Sequence, residues 1–257
     1  MSDPGKASTR TRSETSLPKR FYKTVAVEDQ DGRFVLLLDG KPVRTPGKAQ
    51  LSLPTRALAE AVAEEWRTQR ERIDPATMPL TKFANSAIDG VAGRAQAVIG
   101  DILAYAGSDL LCYRADGPRG LTEAQKAHWD PVLAWAKSAL GAPFVLAEGV
   151  VYVTQPQASL GRLKDWLAAQ EPFGLAALHV MTALSGSALL ALAVACGQMT
   201  AEEAWKAAHV DEDWQISQWG EDAEAAARRA ARWRDFAAAA RSLTLLKEVP
   251  RAHASTG

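Results

Sequence analysis

LAALHVMTALSGSALLALAVAC, residues Leu175–Cys196, runs for 22 residues without a formal charge. A helix of about 20 apolar residues is long enough to cross a bilayer. The composition argues against that use. The run is rich in Ala rather than Leu, and it carries His179, Thr182, Ser185, Gly186 and Ser187 through its middle. No cluster of Lys or Arg flanks it to set an orientation. A helix apolar on every side is instead one buried at the centre of a bundle. The small residues around Gly186 would let neighbouring helices approach closely. His179 is expected to be a hydrogen-bonded core residue rather than a metal ligand. The chain is therefore expected to be mainly helical, with no stable membrane insertion.

The segments around this centre carry helical periods. Arg94–Ala106 and Leu121–Gly141 are expected helices, the second with Trp129, Val132, Leu133, Trp135 and Ala136 apolar. Pro131 inside it predicts a kink or a break, because proline removes a backbone donor and clashes with the preceding turn. Ser159–Gln170 places Leu160, Leu163 and Leu167 on one face with Trp166 beside them. Thr200-Ala201-Glu202-Glu203 is a capping box, in which each end residue satisfies the other's backbone N–H. Trp219, Ala223, Ala226, Ala230, Trp233, Ala237 and Ala240 recur at helical spacing, giving a long helix over Ala223–Leu243 with an i,i+4 pair of Glu224 and Arg228. Between the helices, Ser108–Ala115 is strand or extended linker, with Cys112 a buried inert thiol. Phe144–Thr154 alternates around Gly149 and suggests a small hairpin.

The N-terminal part is different. Over residues 21–53, alternating segments Phe21–Val27, Phe34–Leu38 and Ala49–Leu53 are separated by turn signals at Asp31-Gly32, Asp39-Gly40 and Pro46-Gly47. They predict an antiparallel meander. A helix then starts at Leu53-Pro54-Thr55, with proline in its first turn and Leu58, Val62 and Trp66 on one face. Trp66 is its packing anchor against the sheet. A short helix after Met78 carries a polar stripe of Thr81, Asn85 and Asp89, expected to make buried hydrogen bonds. The fold class is α+β: an N-terminal antiparallel β-hairpin/α module followed by a larger, mainly α-helical domain. The expected divisions are a disordered tail over 1–20, the α/β module over 21–90, the helical domain over 91–245 and a frayed end over 246–257.

Composition excludes several functions. Thirty basic residues balance thirty acidic ones, so there is no basic excess for general nucleic-acid binding. Cys112 and Cys196 form no CxxC, and the four His residues give no HExxH. No GxxxxGK[ST], GxGxxG or GxSxG motif occurs. Ser185-Gly186-Ser187 lies inside an apolar run rather than at a strand-to-helix turn, a poor place for a nucleophile. The leader has no apolar core and is not a secretory signal. It is Ser/Arg-rich like a transit peptide, but Asp3 and Glu14 depart from that pattern.

The densest chemistry is at His209–Arg229, HVDEDWQISQWGEDAEAAARR. Six carboxylates, Asp211, Glu212, Asp213, Glu221, Asp222 and Glu224, surround Trp214 and Trp219. Three readings stand. The cluster is a metal or acid/base site, a surface that meets a basic or apolar protein partner, or a solvated acidic turn before a helix with each Trp in the local core. Asp211, Asp213 and Gln215 begin like a calcium loop, but Trp219-Gly220 breaks that pattern.

Motifs taken in order resemble those of the ATP synthase assembly chaperones that hold the unassembled alpha subunit of the catalytic sector. They are Arg20-Phe21-Tyr22-Lys23, Ala63-Glu64-Glu65-Trp66, Met78–Thr81 with Asn85–Asp89, Ser108–Arg114, Trp129-Asp130-Pro131, Ser185–Ala188, and Glu212–Gln215 with Trp219-Gly220. The resemblance covers roughly residues 20–240. Mitochondrial members continue after the Trp-Gly pair with Val-Glu and then His-Asp. This chain has Glu221-Asp222-Ala223-Glu224 and no His there, so no role of that pair carries over. The resemblance implies a non-enzymatic chaperone that needs no cofactor or metal, binds no nucleic acid and holds the alpha subunit until the beta subunit replaces it. A monomer is expected, in a bacterial cytoplasm first and a mitochondrial matrix second. Asp211, Glu212, Asp213, Trp214 and Glu221 are the expected partner contacts. Glu65, Trp66, Asn85, Asp89, Gln215, Trp219 and Gly220 are expected to be structural. The rival reading is a carboxylate- or metal-dependent hydrolase built on residues 211–224.

Overall fold

The computed structural model describes residues 17–91, 93–149 and 151–247. Most of the expected tail (residues 1–16), and residues 248–257 at the other end, lie outside the described residues. Leu17–Arg20 belong to the fold: the Pro18 carbonyl accepts from Ile73 N at 2.9 Å and Arg20 N donates to the Glu71 carbonyl at 2.9 Å.

Strands β1 (Val25–Gln30) and β2 (Arg33–Leu38) form an antiparallel hairpin in register Val25↔Leu38 to Gln30↔Arg33. Its turn, Asp31-Gly32, has positive φ at both residues, as a two-residue hairpin of this hand requires. The expected meander continues through Asp39-Gly40 and Pro46-Gly47, with Arg44 bridged antiparallel to Gln50, but its last strand also returns to β2. β3 (Lys41–Pro42) and β4 (Ser52–Leu53) both pair with the far edge of β2, at Leu37↔Pro42 and Phe34↔Leu53. The chain between them bulges out and is closed by Leu51 N donating to the Val43 carbonyl at 2.8 Å. Pro42 has no N–H to extend the ladder, and β2 can therefore accept a second short partner along the same edge.

Helix α1 (Arg56–Arg67) is capped by Thr55, whose hydroxyl oxygen accepts from Leu58 N at 3.2 Å. Pro54 thus precedes the cap instead of lying in the first turn. Leu58, Ala59, Val62 and Ala63 are buried on the side facing the sheet. Helix α2 (Pro79–Ser86) runs into a π turn, Ala87–Val91. Helix α3 (Ala95–Gly107) follows.

The uncharged run at the centre is two helices. α6 (Pro172–Ser185) ends at Gly186, which is left-handed with φ 73°, and α7 (Ala188–Ala195) begins at Ser187. Glycine takes that conformation without the Cβ penalty, and the Ser187 hydroxyl caps Leu190 N at 3.0 Å. Among the described residues no helix is long and apolar enough to cross a membrane. α6 packs against α3, α7 and the last helix. One apolar core runs from Leu36 and Leu58 through Phe83, Ile102, Trp129, Leu163, Met181 and Leu192 to Phe236. His179 is not in it. The side chain is about a third exposed, with Nε2 3.7 Å from Asp101.

Strand β5 (Tyr113–Arg114) leads to α4 (Arg119–Ala139), one helix that Pro131 does not end. The hairpin expected at Phe144–Thr154 is replaced by a parallel pairing of β6 (Ala147–Glu148) with β5. Val150 lies outside the described residues. Helices α5 (Gln157–Ala168), α8 (Ala201–Ala208), α9 (Val210–Trp219) and α10 (Ala223–Leu246) complete the bundle, α8 with both bonds of its capping box. The architecture is α+β: a small N-terminal antiparallel sheet and a larger helical region.

Candidate functional site

The acidic stretch is a helix, not a turn. α9 carries Asp211, Glu212 and Asp213 in its first turn, where the helix dipole favours negative charge. Gly220 ends it at φ 88° and ψ 170°, a conformation open to glycine, and Asp222 starts α10 by accepting from Ala225 N at 2.7 Å.

The carboxylates divide into two sets. Asp211 accepts from Gln125 Nε2 at 2.7 Å, and the Gln125 carbonyl oxygen accepts from Ala115 N at 2.9 Å. That amide ties α9 to α4 and to the segment after β5. Asp213 is half-buried in an ion pair with Arg229 of α10. Trp214 closes over Gly120, so tightly that its ring leaves no room for a Cβ at residue 120. These three residues are engaged within the fold.

Glu221 and Trp219 face outward, and Glu212 is half-buried. The Glu212 carboxylate lies 3.9 Å from the His209 ring. Burial lowers the His209 pKa, with Arg229 adding to the effect, and its Nδ1 lies 2.7 Å from the Trp205 carbonyl. Neutral His209 does not offset the Glu212 charge, which instead helps to stabilise the Arg229 cation. Glu221 is exposed and has no ion pair among the described residues. Trp219 is 80% exposed, the most open large apolar side chain described. It stands over a groove of about 300 Å³ between α9 and α10, lined also by Gln215, Ile216, Asp222 and Ala226. Among the described residues no three His, Cys, Asp or Glu side chains converge on a metal position.

The other motif residues hold elements together. Glu65 is half-buried and caps α2 from outside: it accepts from Leu80 N, Thr81 N and the Thr81 hydroxyl, each at 2.7 Å. Met78, at the cap position itself, offers no side-chain acceptor. Burial raises the Glu65 pKa against the pull of those donors. Glu65→Ala is expected to lower unfolding stability by about 2 kcal/mol, the upper end for a lost cap. Denaturant titration checks this, and an unchanged midpoint would contradict it. Trp66 packs with Tyr22, whose hydroxyl donates to the Trp66 carbonyl at 2.7 Å. Asn85 is half-buried. Asp89 lies in the π turn and makes the hydrogen bonds expected of the stripe. It accepts from the Thr45 hydroxyl at 2.7 Å and Gly47 N at 2.8 Å, so close that a Cβ at Gly47 would sit 2.6 Å from its oxygen. Gln215 is exposed.

Three residues of consequence were not singled out by the sequence. Asp109 is fully buried and joins Leu111 to Leu189 of α7. Arg114 lies 2.8 Å from Asp130 and 5.2 Å above the Trp129 ring. Gln125 shares the buried row of α4 with Trp129, Val132 and Ala136, and a polar residue in an apolar row was the available signal. Cys112 is buried as expected, and burial, aided by the charge of Asp109, pushes its thiol up to about 12. A second exposed apolar surface is the loop bearing Val145, Leu146, Val151 and Tyr152. Its base is clamped by Gln155, which exchanges two hydrogen bonds with Val145 at 2.8 and 2.9 Å.

The fold joins a small antiparallel sheet to a helical region, with an exposed acidic groove between its last two helices. The family model described as ATP12 chaperone protein matches residues 19–137. The chain is similar to the Atu1473 protein of Agrobacterium tumefaciens, a proposed chaperone of known crystal structure: 52% identity, TM-score 0.87, 90% of this chain and 87% of that one. It is similar to Atp12 from Paracoccus denitrificans at 43% identity and TM-score 0.84, over 90% of this chain and 99% of that one. With the mitochondrial Atp12 protein of Schizosaccharomyces pombe it shares 24% identity over 226 residues, 82% of this chain and 78% of the relative. The chain belongs to the ATP12 chaperone family, the ATP synthase assembly chaperones that its motifs resemble.

Proposed function

We propose that this protein binds the unassembled alpha subunit of the ATP synthase catalytic sector, keeps it from aggregating and hands it on during assembly. The observation that carries the reading is the likeness to Atp12 of known structure across nine-tenths of the chain. An unassembled subunit of a ring exposes an apolar interface that invites wrong association. The exposed side chains of Trp219, Val145, Leu146, Val151 and Tyr152 suit a protein that must cover such a patch. Glu212 and Glu221 make the direct contacts, while Asp211, Asp213 and Trp214 hold α9 in position to present them. Exposed charge at an interface speeds and orients encounter more than it tightens the complex, which suits a client that must later be released. The protein acts by binding and release, as a monomer without a cofactor. Higher identity to the Agrobacterium and Paracoccus proteins than to the mitochondrial one supports a bacterial cytoplasm.

The test offers purified alpha and beta subunits separately and follows capture and light scattering. Stoichiometric capture of alpha, suppression of its aggregation and indifference to beta are the expected result. Glu212→Lys is expected to abolish capture with helical content unchanged. Capture of neither subunit by folded protein would defeat the reading.

A further inference from the structure

We propose that the groove between α9 and α10 seats a basic segment of the client, with an arginine or lysine laid across the indole of Trp219 and its charge met by Glu212 and Glu221. The inference rests on the chaperone reading and assigns its contact chemistry. Four features on the molecule point to this occupant. Trp219 is 80% exposed, although a tryptophan at a helix end beside a groove could have folded down on Ile216. Gly220 ends α9 immediately after it, at φ 88° and ψ 170°. The floor is lined by the small side chains of Ala225 and Ala226, which leave room for a side chain from outside. The rim carries an excess of negative charge: Glu212, Glu221 and Asp222 line the groove against one cation, Arg229, whose guanidinium is paired with Asp213 and only partly offsets Glu212 and Glu221.

An indole face attracts a cation through its quadrupole, most strongly for tryptophan. The Glu212 and Glu221 carboxylates lining the same groove would hold the guanidinium or ammonium over the ring. Neighbouring apolar atoms of the segment would cover Ile216 and the edge of the indole. An acidic or purely apolar segment would leave Glu212 and Glu221 desolvated without a partner, which is unfavourable. The groove therefore selects positive charge beside apolar surface.

The test measures the affinity of the full chain for the isolated alpha subunit in wild type, Trp219→Phe, Trp219→Leu and Glu221→Lys. All three substitutions are on exposed side chains, and melting temperatures are expected to match wild type. Trp219→Leu is expected to weaken binding about 10-fold or more, the scale of an aromatic hot spot, whereas Trp219→Phe retains most of it. Glu221→Lys is expected to weaken binding and flatten its salt dependence, because like charge replaces attraction. Wild-type capture of the alpha subunit with Trp219→Leu and Glu221→Lys binding equally well overturns the groove and leaves the chaperone reading standing. Equal affinity of the Phe and Leu variants overturns the cation contact. Self-association in sedimentation that disappears in Trp219→Leu overturns the choice of occupant, since a second copy would fill the groove. Failure of wild type to capture the alpha subunit at all is the one outcome that reaches the chaperone reading as well.

Discussion

Asp109→Ala is expected to destabilise the protein by about 3–5 kcal/mol, the range for removing one partner from a buried charged network. The carboxylate is wholly buried. One oxygen accepts from Leu111 N and the other from Leu189 N, both at 3.1 Å. The Ser187 side chain and the Ala188 amide also favour its charged form. Nearby, Leu110 N donates to the Gly186 carbonyl at 3.2 Å. The break between α6 and α7 is thus stapled to the segment that leads into β5. Alanine would leave two buried N–H groups without acceptors, each costing about 1–3 kcal/mol. Urea unfolding checks the figure, and a loss under about 1 kcal/mol would show that another group takes over the two amides.

The same residue predicts a pH dependence. Burial raises the Asp109 carboxyl to about 6. The unfolded value is about 3.9. Between roughly pH 4 and pH 6 the folded chain therefore holds a proton that the unfolded chain has released, and stability falls as pH rises through that window. Below it the contribution is fully present. Other carboxylates change stability over the same range, so the informative quantity is a difference. Relative to Asp109→Asn, which cannot ionise, wild type is expected to lose roughly 2 kcal/mol between pH 4 and pH 7. A difference that is flat with pH would place the Asp109 pKa near its ordinary value.

The break at Gly186 illustrates what the chain displays and what it conceals. Amphipathic helices such as α1 were readable because Leu58 and Val62 recur at the helical period and bury one face. Leu175–Cys196 buries every side, so it has no period to show where it stops. The only local mark was Ser185-Gly186-Ser187, a glycine free to go left-handed followed by a serine able to cap. Pairing was concealed for another reason. β4 returns to β2, and β6 pairs with β5, because of where the intervening chain packs, and neither partner is encoded within its own segment. At the site, the carboxylates were visible as a cluster, but their division was not. Gln125 and Arg229 claim Asp211 and Asp213 from distant helices. Trp214 and Trp219 exchange the expected roles, because five residues along a helix turn a side chain by about 140°. One ring therefore faces Gly120 and the other faces solvent. That geometry follows from the sequence once residues 210–219 are taken as a helix rather than a turn.

Trp129→Ala is expected to cost about 3–5 kcal/mol, the range for truncating a large buried aromatic. The indole is fully buried in the inner row of α4. Its N–H donates to the Ala207 carbonyl at 2.7 Å, in the last turn of α8. Its face lies under the guanidinium of Arg114, which is itself buried and paired with Asp130. Truncation opens a cavity, orphans a carbonyl and removes the ring beneath a buried cation. Trp129→Phe keeps most of the bulk and loses the hydrogen bond, at an expected cost of about 1–2 kcal/mol. α9 follows α8 after a single residue and is tied back to α4 through Gln125 and Trp214. Loosening α4 against α8 therefore loosens the helix that presents Glu212 and Trp219. Under the chaperone reading, Trp129→Ala weakens client capture without touching the client. Amide exchange separates the two effects: faster exchange in α9 at a temperature where the core remains folded is expected for Trp129→Ala and not for Glu212→Lys. Unaltered α9 exchange in a destabilised Trp129→Ala protein would mean that α9 is held by its pairing with α10 alone.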